Sequence, residues 1–485
     1  MNPLFPLNEY VPDGEPHVFG DRVYLYGSHD EEGGTRFCMR DYTVWSAPVS
    51  DLTQWTNHGI TYKKSQDPRS KNGCLVDFYA PDCVCGNDGR YYLYYFAAGP
   101  NTAAFGPMSV AVSDNPAGPF EYLADIRYND GTPVLKYLTN DPAVINDGGR
   151  VYLYYGWGLG RDFRNKVFRP LYNFVLHKLC NRPLKVIKST LPSILSCAVV
   201  ALEDDMCTVK GEPKAVLDSK TSAPKDSLLY RHAFYEAPSI RKFGDWYYLI
   251  YSSGENNELA YAMSRFPDHG FEYKGVLISN SDLGYKGNTK PKMPAGTIHG
   301  SVELINGEYY VFYHRCTNNT DYSRQACAEK IIMNADGTFN MAEVTTQGIG
   351  QPLISQGQYP AALCCNLYNK NKNYKKGRRA IITAMGGQSF ISRISDGTVI
   401  GYKYFDLRGK CTLSVASRNA RGCFKISTSP QSGGLGAIAL NPSDEWAETS
   451  AEINFPCGTE ALYFIYEGKS GAEFLKFGFK DVCRR

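Results

Sequence analysis

No apolar run in this 485-residue chain reaches the length needed to cross a membrane. The opening residues, MNPLFPLNEYVPDGEP, lack the basic region and the apolar stretch of a secretion signal, so the expected location is the cytoplasm. Charge of one sign is scarce: 52 Lys and Arg against 49 Asp and Glu leave +3, too little for a nucleic-acid partner. Paired Cys-x-x-Cys spacing is missing from the 15 cysteines. Without it a zinc centre is the weaker reading, and the odd count fits reduced, buried thiols.

Tyrosine, by contrast, is plentiful, at 36 residues. Much of it falls in five strand-like cores: VYLYG (23–27), YYLYY (91–95), VYLYY (151–155), YYLIY (247–251) and YYVFY (309–313). Tyr24, Tyr92, Tyr152, Tyr248 and Tyr310 serve as a ruler. Asp13 precedes its tyrosine by 11 residues, Asp82 by 10, Asp141 by 11, Glu236 by 12 and His299 by 11. Around each pair the pattern repeats. A short apolar strand is followed by a turn such as NDGGR (146–150), KFGDW (242–246) or INGEY (305–309). The Tyr strand comes next, then two more strands, as in SVAVSD (109–114) and FEYL (120–123). A four-stranded unit recurring about every 60 residues is a propeller blade. The fold expected is therefore all-β: a five-bladed β-propeller over residues 1–350.

One interval breaks the ruler. Successive tyrosines lie 68, 60, 96 and 62 residues apart, and the long step holds an insertion at 161–195 in blade 3. Residues 161–200 carry +7, which leaves −4 for the rest of the chain. A basic rim excursion, helical near 168–180, is the simplest reading; a lid, an oligomer contact or an anion-attracting surface is the sharper one. After residue 350, GQPLISQGQYP (350–360) reads as a linker. Alternating strands over 361–485 then read as a β-sandwich.

The first strand of each blade lines a propeller's channel, so the five polar residues converge on one mouth. Clustered carboxylates raise one another's pKa and cost stability, so folding alone gives no reason to gather them. Two chemistries fit: a carboxylate and His metal site, or hydrolysis of a glycosidic bond by one protonated and one ionised carboxyl.

Longer stretches narrow the choice. PHVFGDRVYLYGSHD (16–30), FYAPD (78–82), DPAVINDGGRVYLYYG (141–156), HAFYEAPSIRKFGDWYYLIYSS (232–253), GTIHGSVELINGEYYVFYHR (296–315) and RQACAEKI (324–331) together resemble glycoside hydrolase family 43. The resemblance implies an inverting exo-glycosidase, an α-L-arabinofuranosidase or β-xylosidase, acting on arabinose- and xylose-containing plant glycans. It implies Asp13 as general base, Glu236 as general acid, and Asp141 as the acid that tunes and orients Glu236. Asp82, of the Ala-Pro-Asp element, is implied as a sugar or structural contact, and Arg324 as a sugar contact near the acid. His299 resembles the family's channel histidine, which implies a water or a structural calcium ion held beside it; no cofactor is required. Tyr79 stands where the family commonly has Trp and is expected to stack on the sugar. Tyr235, and less firmly Tyr42 and Trp45, are expected at the pocket.

Two departures stand out. Gly14 replaces the Pro that usually follows the base, which leaves Glu15 as the alternative base. The blade 3 insertion is longer than usual and is expected to narrow access. A second reading keeps the same pocket as a non-catalytic glycan-binding propeller. The C-terminal region, through GTVIGYKYFDLRGKCTLSVASRNARGCFKIS (397–427), DEWAETSAEI (444–453) and GTEALYFIYEG (458–468), resembles family-six carbohydrate-binding sandwiches.

Overall fold

In the computed structural model each Tyr strand is the second of an antiparallel meander. The structure describes residues 1–481 apart from 72, 100–104, 159–166, 168, 181–182, 191–194, 255–256, 371–378 and 432–433. Blade 1 comprises Glu15–Phe19, Arg22–Tyr26, Tyr42–Pro48 and Thr56–Tyr62, and blade 2 Asp77–Cys85, Tyr91–Ala98, Met108–Ser113 and Glu121–Asp125. Blade 3 comprises Ala143–Asp147, Arg150–Gly156, Ser196–Leu202 and Val209–Asp218, and blade 4 Phe234–Phe243, Trp246–Ser253, Glu258–Ser264 and Glu272–Ser279. The predicted Gly turns become two-residue hairpin loops between the first and second strands. Asp147 pairs with Arg150 across Gly148 and Gly149, both at positive φ, and Ile305 pairs with Glu308 across Asn306 and Gly307, also both positive. Such loops match the twist of the strands they join.

Blade 5 departs from the four-strand expectation. Only Val302–Ile305, Glu308–Cys316 and Arg324–Ile331 form its sheet. The N-terminal segment lies along its third strand. Leu4 N–H donates to the Ala326 carbonyl at 2.9 Å, and the Asn2 side chain bonds both the N–H and the carbonyl of Ala328. The first residues thus tie the last blade to the first, aided by Phe5 stacked on Trp45 at 4.2 Å. Apolar clusters fill each junction between neighbouring blades, including the one between blades 1 and 5, so the ring closes on packed side chains. Trp45 and Tyr42 belong to these clusters and not to the pocket.

The insertion forms two helices in its described part, α1 (Arg169–Cys180) and α2 (Leu184–Thr190), between the second and third strands of blade 3. Of its other residues, 161–166, 168, 181–182 and 191–194 lie outside the described set, and Leu195 is buried against the helices.

The sandwich packs two six-stranded sheets around one core that includes Phe405, Phe424, Phe464, Phe474 and Phe477. The expected linker is part of it. Leu353–Ile354 pairs with Phe405 and Asp406, and Gly357–Pro360 pairs with residues 476–479, so the sandwich begins near 353 and not at 361. A polar, Gly- and Pro-containing segment reads as a linker, but its backbone completes two sheet edges that would otherwise stay open. The propeller grips the sandwich by hydrogen bonds. The Arg315 guanidinium donates to the carbonyls of Ala362 and Cys364, and Lys403 pairs with Glu343 at 2.8 Å. Every cysteine side chain described is a free thiol, and no described helix is long and apolar enough to cross a membrane.

Candidate active site

Strand register sorts the channel residues by depth. The ruler tyrosines pair with His17, Val84, Ile145, Arg241 and Glu303. Two residues earlier on each inner strand, on the same face, stand Glu15, Asp82, Ala143, Ser239 and Ser301. Two residues earlier again come Asp13, Ala80, Asp141, Ala237 and His299, the mouth of the channel. In blade 4 a bulge between Glu236 and Ser239 brings Glu236 to this level. Asp13, Ala80, Asp141 and Ala237 all have positive φ. That conformation is costly for a residue with a Cβ, and it is often held at functional sites.

Asp82 is thereby one layer deeper than a substrate contact needs. Its side chain is fully buried. It bonds His17 Nε2 at 2.6 Å and accepts from Val144 N–H at 2.7 Å, which fastens blade 2 to blades 1 and 3. The ruler's count of 10 instead of 11 is the sign, because the mouth position of blade 2 belongs to Ala80. Asp82 is a structural anchor. The same layer holds a closed polar network: Ser239 Oγ donates to Glu15 at 2.9 Å, and Arg241 bonds both Glu15 and Glu303. Glu15 is 1% exposed and committed to Arg241, so it cannot serve as the alternative base.

At the mouth a cavity of about 210 Å³ is walled by Asp13, Asp141, Glu236, His299, Tyr79 and Arg324, among others. Tyr79 is where a stacking residue was expected. Tyr235 is not part of the wall; its ring rests 6.0 Å from that of Trp157.

The carboxylates have opposite environments. Burial works against the charge on Asp13, but Arg324, His314 and His299 outweigh it and hold its pKa at about 2. Arg324 Nη1 reaches both Asp13 oxygens, at 2.7 and 2.9 Å. Its Nε and Nη2 are taken by Asp30 at 2.8 and 3.0 Å. With its donors spent in this way, Arg324 is a clamp on the base and not a sugar contact beside the acid. His314, which carries no signal in the sequence pattern, is kept neutral by burial, its pKa pushed down to about 3, and accepts the Asp13 N–H at 3.3 Å.

Glu236 is pushed well above the ordinary carboxylate range, first by burial and then by the Asp141 charge, so it is protonated at neutral pH. Asp141 is itself raised by burial. Its Oδ2 accepts from Ala237 N–H at 3.1 Å and Asn140 Nδ2 at 2.8 Å, which ties it to the residue next to Glu236. Trp157, also missed from sequence, donates its indole N–H to Glu236 Oε2 at 3.2 Å. His299 stands between the acids. Burial opposes its charge, but Glu15, Asp13 and Asp141 raise its pKa to about 9, so it is a cation at neutral pH.

A protonated carboxyl and an ionised one around a single cavity, at the mouth of a five-bladed propeller, define a carboxylate-dependent glycoside hydrolase. The profile of glycosyl hydrolases family 43 matches residues 2–339, and the chain belongs to that family. It is 40% identical over 98% of its length, and 98% of the relative's, to a xylosidase/arabinosidase of Thermoclostridium stercorarium. It is 30% identical over 64% of its length, and 86% of the relative's, to a xylosidase/arabinosidase of Bacteroides ovatus. Among solved structures, a family 43 β-xylosidase/α-arabinofuranosidase from a compost microbial metagenome, in complex with xylotriose, superposes with a TM-score of 0.54 at 26% identity. That match covers 70% of this chain and 97% of the other. An arabinoxylan arabinofuranohydrolase of Bacillus subtilis shares the fold over 99% of this chain and 97% of its own, sandwich included, with a TM-score of 0.50 at 19% identity.

Proposed function

We propose that the protein is an inverting, exo-acting glycosidase that removes terminal β-xylosyl or α-L-arabinofuranosyl residues from arabinose- and xylose-containing plant oligo- or polysaccharides. The observation that carries this is the split between Glu236, held protonated, and Asp13, held ionised. Glu236 donates its proton to the leaving oxygen. Asp13 accepts a proton from the water that attacks the anomeric carbon from the other side. The Arg324 clamp on both Asp13 oxygens makes that carboxylate a weak nucleophile towards carbon, which favours activation of water over a covalent intermediate. The named relatives support the choice of sugars. A panel of nitrophenyl β-xyloside, α-L-arabinofuranoside and galactoside tests the reading: release from the first or second is expected, and binding without turnover on all three would favour a glycan-binding propeller.

Asp141 sets the acid's working range. Asp141→Asn removes a negative charge that opposes ionisation of Glu236, so the acid loses its proton at lower pH. The alkaline limb of the kcat/KM profile is expected to move to lower pH, and an unmoved limb would remove Asp141 from this role.

We also propose that a hydrated calcium ion sits beneath the cavity. Glu15 Oε1 and His299 Nε2 are buried, 3.5 Å apart, and without a hydrogen-bond partner among the described residues. The ligand atoms of Glu15, His17 and Asp82 lie within 4.8 Å of one another, an oxygen-rich set suited to a hard cation. Glu15 and His299 would hold the ion, His299 through water, and the ion would supply fixed positive charge under the carboxylates. Calcium should raise Tm and a chelator lower it; a Tm indifferent to both argues against the ion.

A further inference from the structure

Trp157 is held more firmly than a side chain that merely walls a cavity. It lies between two glycines. Gly156 N–H donates to the carbonyl of Asn140, the neighbour of Asp141, at 3.1 Å. Gly158 N–H donates to the carbonyl of Tyr235, the neighbour of Glu236, at 2.5 Å. A Cβ at Gly156 would lie 2.2 Å from the Ser196 carbonyl oxygen, and one at Gly158 2.4 Å from that of Phe234, so neither position tolerates a side chain. The backbone of Trp157 is therefore pinned to the strand starts that carry Asp141 and Glu236.

The ring is fixed from behind. Leu176 of α1, Ile187 of α2, Leu195 and Leu138 form a small buried cluster on which Trp157 and Phe105 pack, the two rings 5.1 Å apart. Three of those four core residues come from the insertion or its exit. Its apolar side faces the wall that carries Trp157.

The indole N–H can only donate. Its bond to Glu236 Oε2 commits that oxygen as an acceptor. In a protonated carboxyl the carbonyl oxygen accepts far better than the hydroxyl oxygen. We propose that Trp157 is a positioning residue for the general acid, fixing Oε2 as the carbonyl oxygen so that the proton is carried on Oε1, and that the insertion helices hold the indole in register for this. The insertion is then part of the acid machinery and not a free rim excursion. The proposal rests on Glu236 being the acid.

The test compares a poor leaving group, such as xylobiose, with an activated nitrophenyl xyloside. Trp157→Phe keeps a ring and loses the donor. It should lower kcat on xylobiose by about tenfold, the worth of one hydrogen bond to a charged or reacting group, with much less loss on the nitrophenyl substrate and with Tm retained. Leu176→Ala should give the same leaving-group selectivity in weaker form. Equal losses on both substrates for Trp157→Phe, or none, would overturn the positioning role, and an unselective Leu176→Ala would overturn the insertion's part. Glu236→Gln is run alongside: if it is itself unselective, the assignment of the acid fails; if it is selective and Trp157→Phe is not, only the present proposal fails.

Discussion

Glu236→Gln is expected to lower turnover of xylobiose by about 10²–10⁴-fold, the usual worth of a general acid, while nitrophenyl glycosides lose far less. The reason lies in the leaving group. An alkoxide leaving from a sugar is a strong base and needs a proton in the transition state, whereas a nitrophenolate is stable without one. Glutamine keeps the shape and can still accept the Trp157 N–H, so the cavity is retained and the proton is removed. Equal loss on both substrates would mean that Glu236 binds sugar or supports the fold. The environment argues for the acid: burial and the Asp141 charge both hold its proton on.

The second large effect is expected at the opposite carboxylate. Asp13→Ala should lower activity by about 10²–10⁴-fold on poor and activated substrates alike, because the attacking water needs a base whatever the leaving group. Folding should survive the change. Arg324 keeps two bonds to Asp30, so no buried guanidinium is left without a partner. A variant of near-normal speed would displace the base from Asp13. The pairing register leaves no ready substitute, since Glu15 lies one layer deeper and is held by Arg241. Restoration of activity by added azide, which replaces water as a small nucleophile, would mark the lost function as base catalysis.

The five-fold phase makes most of this legible in the sequence. It exposes the blades, the hairpin turns and the convergence of Asp13, Asp141, Glu236 and His299. It misplaces Asp82 because counting along a chain does not see pairing: one residue less in the interval is one layer of depth in a strand. Glu236 is legible although a bulge shifts it, because its interval lengthens in the direction that keeps it at the mouth. Arg324 is legible as a residue but not in its role. Sequence shows a basic residue at the start of a strand, and only the structure shows Asp13 and Asp30 consuming its donors. His314 and Trp157 carry no repeating signal. Trp157 sits alone between two glycines, and the backbone bonds that give it meaning run from those glycines to Asn140 and Tyr235, which no local pattern connects. The strand pairings of 353–360 are hidden because partners more than 50 residues distant, and not local composition, make that segment part of a sheet.

The roles given to the two carboxylates require a base that activates water while an acid across the cavity donates its proton, in a single displacement at the anomeric carbon. Proton NMR of the sugar released in the first minutes from a β-xyloside, or from an α-L-arabinofuranoside, tests that directly. The first product should carry the opposite anomeric configuration, α-xylose or β-arabinose, before mutarotation mixes the two. First-formed sugar of unchanged configuration would require a covalent intermediate on Asp13 and would contradict the roles assigned to it and to Glu236.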